Sequence, residues 1–212
     1  MIKTTTCDIM VIGLGAMGSA ALYQLSQKSK GKKIIGLDKF MPPHTMGSTH
    51  GESRITRQAI GEGEIYTPLS LRSYEIWRQL ERDAREECLT VTGGLIMASK
   101  SDYSLHGMKD FLGETERAAV KYGVKHERLS AYDIRARFQQ FTLKGDEEGY
   151  YEYEAGLLRP ENCVFAQLQL AIRNTDINIR TGEEVLGIKP MGDGKVLVFT
   201  GRCIYEAGQV IL

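Results

Sequence analysis

The 212 residues contain no apolar run approaching the ~20 that a membrane-crossing helix needs. Neither sign of charge is in excess. Twenty-seven lysines and arginines balance 27 aspartates and glutamates, and the basic residues are dispersed, so the chain lacks the electrostatic footprint of a nucleic-acid binder. The four cysteines, Cys7, Cys88, Cys163 and Cys203, are far apart and form no CxxC pair. That argues against structural zinc and a secreted disulfide framework; reduced thiols in the cytoplasm are expected, with no metal site. The stretch Met1–Thr6 carries one lysine, and the apolar run Ile9–Ile12 is broken at once by glycine, unlike a secretory signal. There is no internal repeat or low-complexity tract. What remains is ordinary globular usage, 42% hydrophobic and 25% charged, in a length that suits one large domain or two small ones.

Asp8–Ile12 is a short apolar run fit for a strand buried on both faces. Glycines follow, then Met17–Lys28, where Met17, Ala20, Ala21 and Leu25 recur at helical spacing. Lys33–Asp38 reads as a second strand, parallel to the first, closing a βαβ unit. Phe40–Ile65 reads as a long ordered loop or a set of short turns, a length that is usually functional. Further on, the pattern predicts a helix over Pro68–Glu87, with Leu69, Ser70, Tyr74, Trp77 and Leu80 along one side. A strand over Thr92–Ala98 follows, then surface helices over Lys109–Tyr122 and Ser130–Phe138. Gly149–Arg159 is extended, and Asn162–Asn174 is another amphipathic helix. Short strands close the chain at Ile177–Ile179, Glu184–Ile188, Lys195–Thr200, Arg202–Tyr205 and Gln209–Leu212. The Gly192-Asp193-Gly194 turn pairs the second and third of these as a hairpin. The order is α/β with an inserted region rather than a simple alternation of strand and helix.

Gly13-Leu14-Gly15-Ala16-Met17-Gly18 follows the first strand and opens the first helix. Alone, GxGxxG is a weak signal; here strand, helix and the acidic Asp38 supply its context. Gly13 permits the tight turn, Gly15 lets a pyrophosphate approach the backbone, and Gly18 lets helix and strand pack closely. The helix N-terminus offers N–H groups and partial positive charge to phosphates. Asp38 can accept from a ribose 2′-hydroxyl and would repel a 2′-phosphate, which disfavours NADP. The expected cofactor contacts are Ile12, Gly13, Gly15, Ala16, Met17 and Gly18, with Asp38 and Lys39 at the end of the second strand. The motif does not separate FAD from NAD, and an NAD-dependent dehydrogenase stays open at this point.

A second block is more specific: Met41-Pro42-Pro43-His44, then Gly47-Ser48-Thr49-His50-Gly51-Glu52-Ser53-Arg54-Ile55-Thr56-Arg57, then Gly61-Glu62-Gly63-Glu64-Ile65-Tyr66 and Pro68-Leu69. With the glycine motif it resembles the monomeric sarcosine oxidase and N-methyltryptophan oxidase family, within the wider glycine oxidase and D-amino-acid oxidase group. The likeness runs through Thr92-Gly93 and Gly156–Cys163. It implies a glutathione-reductase-like, Rossmann-type FAD-binding fold carrying part of an inserted mixed α+β substrate domain. It also implies oxidation of a secondary amine or N-methyl amino acid with O₂, giving imine and hydrogen peroxide, in a protein that is a monomer when full length. Matched position by position, Arg57 would bind the substrate carboxylate, Arg54 would lie against the flavin ring, and His50 would stand beside it. Ser48 and Ser53 would contact the cofactor, and the Val185 backbone would meet adenine.

Two positions depart from the family pattern: Thr49 stands where a histidine is common, and Glu52 where aspartate is usual. The family's flavin-linked cysteine, its oxygen-activating lysine and a second carboxylate-binding residue would fall beyond Leu212. The expected organisation is a first FAD-binding segment over 1–89, a partial substrate region over 90–160 and a returning FAD-binding segment over 161–212. On this reading the chain ends early and is inactive alone, and a non-catalytic flavin-binding fragment is the rival. Bland roles are expected for His44 (shaping its loop), for Tyr74, Trp77 and Leu80 (core), for Tyr150, Tyr151 and Tyr153 (strand packing), and for the acidic runs at 86–87 and 146–148 (solvated charge).

Overall fold

The computed structural model describes residues 3–99 and 110–212, so Lys109, the expected start of one helix, lies outside the described residues. The chain divides into two compact units. The first comprises Met1–Ser53, Leu80–Cys88 and Arg159–Leu212, and the second Arg54–Gln79 and Leu89–Leu158.

The first unit is built on β1 (Lys3–Ile12), α1 (Ala16–Lys28) and β2 (Ile34–Leu37). After the second unit the chain returns through α5 (Pro160–Ala171), β9 (Ile177–Arg180), β10 (Val185–Pro190), β11 (Val196–Thr200) and β12 (Cys203–Ile211). Six strands form one sheet in the order β10-β11-β12-β1-β2-β9. β12, β1, β2 and β9 run parallel, while β10, β11 and β12 form an antiparallel meander. Side chains alternate across the pleat. Met10, Ile35 and Leu37 enter a core shared with Val198, Tyr205 and Ala207. Val11 and Ile34 enter a second core with Leu22 of α1 and Val164 and Leu168 of α5.

Two expectations are corrected in this unit. Arg202–Tyr205 and Gln209–Leu212 are one strand, because parallel pairing from Lys3↔Cys203 to Val11↔Ile211 carries the ladder past Gly208 and overrides its weak strand propensity. On α1, Ala21 and Leu25 pack against the core, but the most buried positions are Gly18, Ser19, Leu22, Tyr23 and Ser26, and Met17 is 84% exposed. Helical side chains lean back over the preceding turn, and close packing is set by Gly18 rather than by the nearest apolar residue.

Among the described residues the second unit holds two three-stranded sheets. β3 (Arg54–Thr56), β8 (Gly156–Leu158) and β4 (Leu89–Val91) form the first, and β5 (Gly94–Ser99), β7 (Glu147–Glu152) and β6 (His126–Ser130) the second. With them run α2 (Thr67–Ala84), α3 (Phe111–Tyr122) and α4 (Ala131–Arg137), the division between units falling within α2. Arg54–Gln79, read from sequence with the first segment, groups instead with the second unit, since β3 pairs with β8. Of the expected face of α2, Tyr74 and Leu80 are buried but Leu69 is exposed. β6 escaped sequence reading: it is mostly polar, and it holds its place by pairing with β7. Ala59, Leu112, Ala119, Val124 and Tyr150 form one core cluster in this unit.

Candidate functional site

In the first unit the glycine turn opens on a cavity of about 600 Å³. Ile12, Gly13, Gly15, Ala16, Met17, Gly18, Asp38, Lys39, Ser48 and Val185 all line it. Gly13 has φ +82°, the left-handed region that favours glycine, and its N–H donates to the Leu37 carbonyl at 2.8 Å. A Cβ on Gly18 would sit 1.8 Å from the Gly13 carbonyl oxygen, so helix and turn meet at a distance only glycine allows. A Cβ on Gly15 would meet only Thr49 Oγ1, at 3.5 Å. No side chain caps α1 at Gly15, and the first N–H groups of a helix have no partner within it. The Ala16 N–H donates to Thr49 Oγ1 at 3.2 Å.

Asp38 is buried and acts twice. One oxygen accepts from the Leu14 N–H at 2.8 Å, fixing the glycine turn; the other accepts from the Phe40 N–H at 2.8 Å and lies 3.2 Å from His44 Nε2. The Met46 N–H donates to His44 Nδ1, so the ring proton sits on Nε2 and points at Asp38. A carboxylate offers about four acceptor positions, and three are taken here, leaving room for one sugar hydroxyl. Lys39 pairs with Glu184 at 2.7 Å on the rim.

Sequence reading missed Glu183 and Glu184 on the wall of this cavity. Glu183 is buried, accepts from the Thr200 hydroxyl at 2.7 Å and the Tyr205 hydroxyl at 2.8 Å, and donates its N–H to the Asp38 carbonyl at 3.1 Å. Arg180 donates to Tyr205 Oη at 2.7 Å. Burial and the Glu183 carboxylate hold the Tyr205 phenol above its ordinary range. These partners sit on different strands, so no local pattern in the sequence points to them.

His50 is half-buried and Ser53 exposed, and neither lines the cavity. The loop that carries them is held by Glu161 at the start of α5, whose carboxylate accepts from the Gly51 N–H at 2.7 Å and the Glu52 N–H at 3.4 Å. Burial works to raise the Glu161 pKa, but the main-chain N–H groups, with the charge of His50, outweigh it and hold the group below its ordinary value. Glu52 stands at φ +65°.

Arg54 and Arg57 belong to the second unit. Arg54 opens β3 and is exposed. Arg57 follows β3 and is 23% exposed. Its guanidinium pairs with Glu62, its Nε donates to the Ala59 carbonyl at 3.2 Å, and Phe111 lies with its ring centre 5.7 Å from the guanidinium carbon. Of the three expected packing tyrosines, Tyr150 is fully buried, whereas Tyr151 and Tyr153 meet edge to face.

A glycine turn on a first strand, a helix N-terminus at a cavity and a carboxylate ending the second strand define a dinucleotide-binding α/β protein. The cradle fits such a group: Gly15 leaves space that a side chain would fill, and one acceptor position remains on Asp38. Residues 8–212 match the family described as DAO, FAD dependent oxidoreductase, and the chain belongs to it. The dinucleotide is therefore FAD rather than NAD. The chain is 42% identical to a monomeric sarcosine oxidase of Streptomyces avermitilis over 207 residues, 98% of this chain and 51% of that protein. It is 34% identical to the N-methyl-L-tryptophan oxidase of Escherichia coli K12, over 77% of this chain and 42% of that one. Among solved structures, NikD, an unusual amino acid oxidase essential for nikkomycin biosynthesis, is similar with a TM-score of 0.82 and 27% identity, over 97% of this chain and 50% of that one. The chain spans about half the length of these relatives.

Proposed function

We propose that this chain is the FAD-holding part of an oxidase acting on a secondary amine or N-methyl amino acid, with O₂ as electron acceptor and imine and hydrogen peroxide as products. The imine then hydrolyses to an amine and an aldehyde. The reading is carried by the cavity in which the Gly13–Gly18 turn and Asp38 face each other, taken with 42% identity to a protein named for this chemistry. When bound, FAD supplies the hydride acceptor and the route of electrons to oxygen.

The protein's own groups then have these parts. The N–H groups at the start of α1 hold the pyrophosphate, Asp38 accepts from a ribose hydroxyl while its other bonds keep the turn in shape, and the Val185 backbone meets adenine. Ser48 and Ser53 touch the cofactor. Arg57 binds the substrate carboxylate, because its planar fork matches two carboxylate oxygens. Arg54 and His50 offset negative charge that develops on the ring. The first unit carries the nucleotide contacts, and the second carries Arg57 for the substrate. No helix among the described residues is long and apolar enough to cross a membrane; we place the protein in the cytoplasm, as a monomer.

The test is peroxide release from sarcosine and from larger N-methyl amino acids by the intact protein, alongside its flavin absorbance. Yellow protein that yields peroxide is the expected result. Colourless protein, or flavoprotein inert towards every N-methyl amino acid, would sink the proposal. Since the matched stretch is about half of each relative, a polypeptide of these 212 residues alone is expected to release no peroxide.

A further inference from the structure

Within the second unit, Glu152 stands apart from the other acidic residues. It ends β7 and is 1% exposed. A buried carboxylate is costly unless donors surround it, and the donors here are unusual. Two are consecutive main-chain amides, Gln58 N–H and Ala59 N–H, the latter at 3.1 Å; the third is the Tyr150 hydroxyl at 3.0 Å. Successive amides along a strand point to opposite sides, so two neighbours reach one carboxylate only where the chain turns. That turn directly follows Arg57.

The same turn is gripped from other directions. Ser70 donates its hydroxyl to the Arg57 carbonyl, and the Arg57 Nε bonds the Ala59 carbonyl at 3.2 Å. Arg57 also feels this cluster electrostatically. The Tyr150 phenol is held above its ordinary range by burial and the Glu152 charge, and Arg57 opposes that shift. Glu152 therefore fixes the turn by which the chain leaves β3 after residue 57.

We propose that Glu152 is a positioning residue for Arg57, acting through the 57–59 turn, and that it thereby sets the preference for amine substrates bearing a carboxylate. The proposal rests on Arg57 binding that carboxylate, as proposed above. A fork must be held close to its productive geometry to pair with both carboxylate oxygens, and that holding comes from its supporting groups. Glu152→Gln keeps the shape, but its amide group turns a donor towards one of the two main-chain N–H groups, so one of the pair loses its acceptor.

Two measurements on the intact protein test this. In Glu152→Gln at least one of the Gln58 and Ala59 amides should exchange hydrogen faster. The ratio of kcat/KM for sarcosine to that for a secondary amine without a carboxylate should fall by about tenfold or more, as expected from a misplaced charge-assisted pair, mainly through KM. Unchanged exchange overturns the proposal whatever the activity. Faster exchange with equal losses on both amines also overturns it, for Glu152 would then be merely structural. If the unaltered protein shows no preference for the carboxylate-bearing amine, the role of Arg57 fails and this inference fails with it. Should Glu152→Gln not fold, Glu152→Asp, which keeps the charge but withdraws it by one methylene, must shift the same ratio in the same direction; an unchanged ratio refutes the idea.

Discussion

At Gly15 and Gly18 the same residue type does two separable jobs. A methyl group on Gly18 would strike the Gly13 carbonyl at 1.8 Å, whereas one on Gly15 would make ordinary contact with Thr49. Gly18→Ala should therefore cost about 1–3 kcal/mol of stability through overpacking. Gly15→Ala should leave the cofactor-free protein within ~0.5 kcal/mol of its original stability while weakening FAD binding, since the methyl group occupies the pyrophosphate's approach. Denaturant melts and flavin titrations of the two variants check this, and equal stability losses would refute the division. Cys7 supplies a pH-dependent case: burial, with a smaller push from Asp8, raises its thiol to about 11 despite Lys33 and Arg180. The unfolded chain, ionising near an ordinary thiol value of about 8.5, then releases its proton first. This contribution is intact below that value and is lost as pH rises towards about 11. Urea midpoints should fall between pH ~8 and ~10, and less steeply in Cys7→Ala.

At the scale of elements, helix α1 decides how the nucleotide end of the fold is held. Its buried side faces α5, and Ser19 Oγ donates to Gln167 Oε1 of that helix at 2.6 Å, tying the first turn of α1 to the returning segment. Leu22 is fully buried between α1 and the sheet, whereas Met17, five residues earlier and on another face, is exposed. Leu22→Ala should cost about 2–5 kcal/mol, and Met17→Ala no more than ~0.5 kcal/mol, in equilibrium unfolding followed by far-UV dichroism. A large loss at Met17 would show that the packed face is misassigned. Similarly, α4 begins on a capping box in which Ser130 Oγ accepts from the Asp133 N–H and the Asp133 carboxylate accepts from the Ser130 N–H. Such a signature is visible in sequence; the strand β6 that leads into it is not, because polar residues become a strand only when β7 offers them a ladder.

For the whole molecule, the cofactor couples two distant parts of the chain. The cavity draws its wall from residues 12–18 and 37–49 and again from 183–185, and Glu183 is bonded to Asp38 through the main chain. A ligand that binds only the folded state stabilises it by mass action, about 2.7 kcal/mol at a hundredfold excess over Kd. FAD should raise the melting temperature of the intact protein in a concentration-dependent way, and NADP should not, since Asp38 repels a 2′-phosphate. Equal stabilisation by both would count against the assigned part of Asp38.

By itself the sequence determined the local facts: the βαβ unit, the glycine turn with its acidic partner, the hairpin at Gly192–Gly194, and, through the block from Pro42 to Pro68, the family. Each of these is written within a few residues or one helical repeat, where covalent geometry and periodicity act directly. Only the tertiary structure decided what depends on partners far along the chain. It fused the last two strands into β12, turned α1 so that Gly18 rather than Met17 faces inward, and grouped Arg54–Gln79 with the second unit. It also brought Glu183 to the cavity wall, Glu161 to the loop of His50 and Glu152 to the turn of Arg57. The reason is physical: a buried carboxylate takes its meaning from the donors that surround it, and those donors are assembled by strand pairing and packing, not by neighbours in sequence.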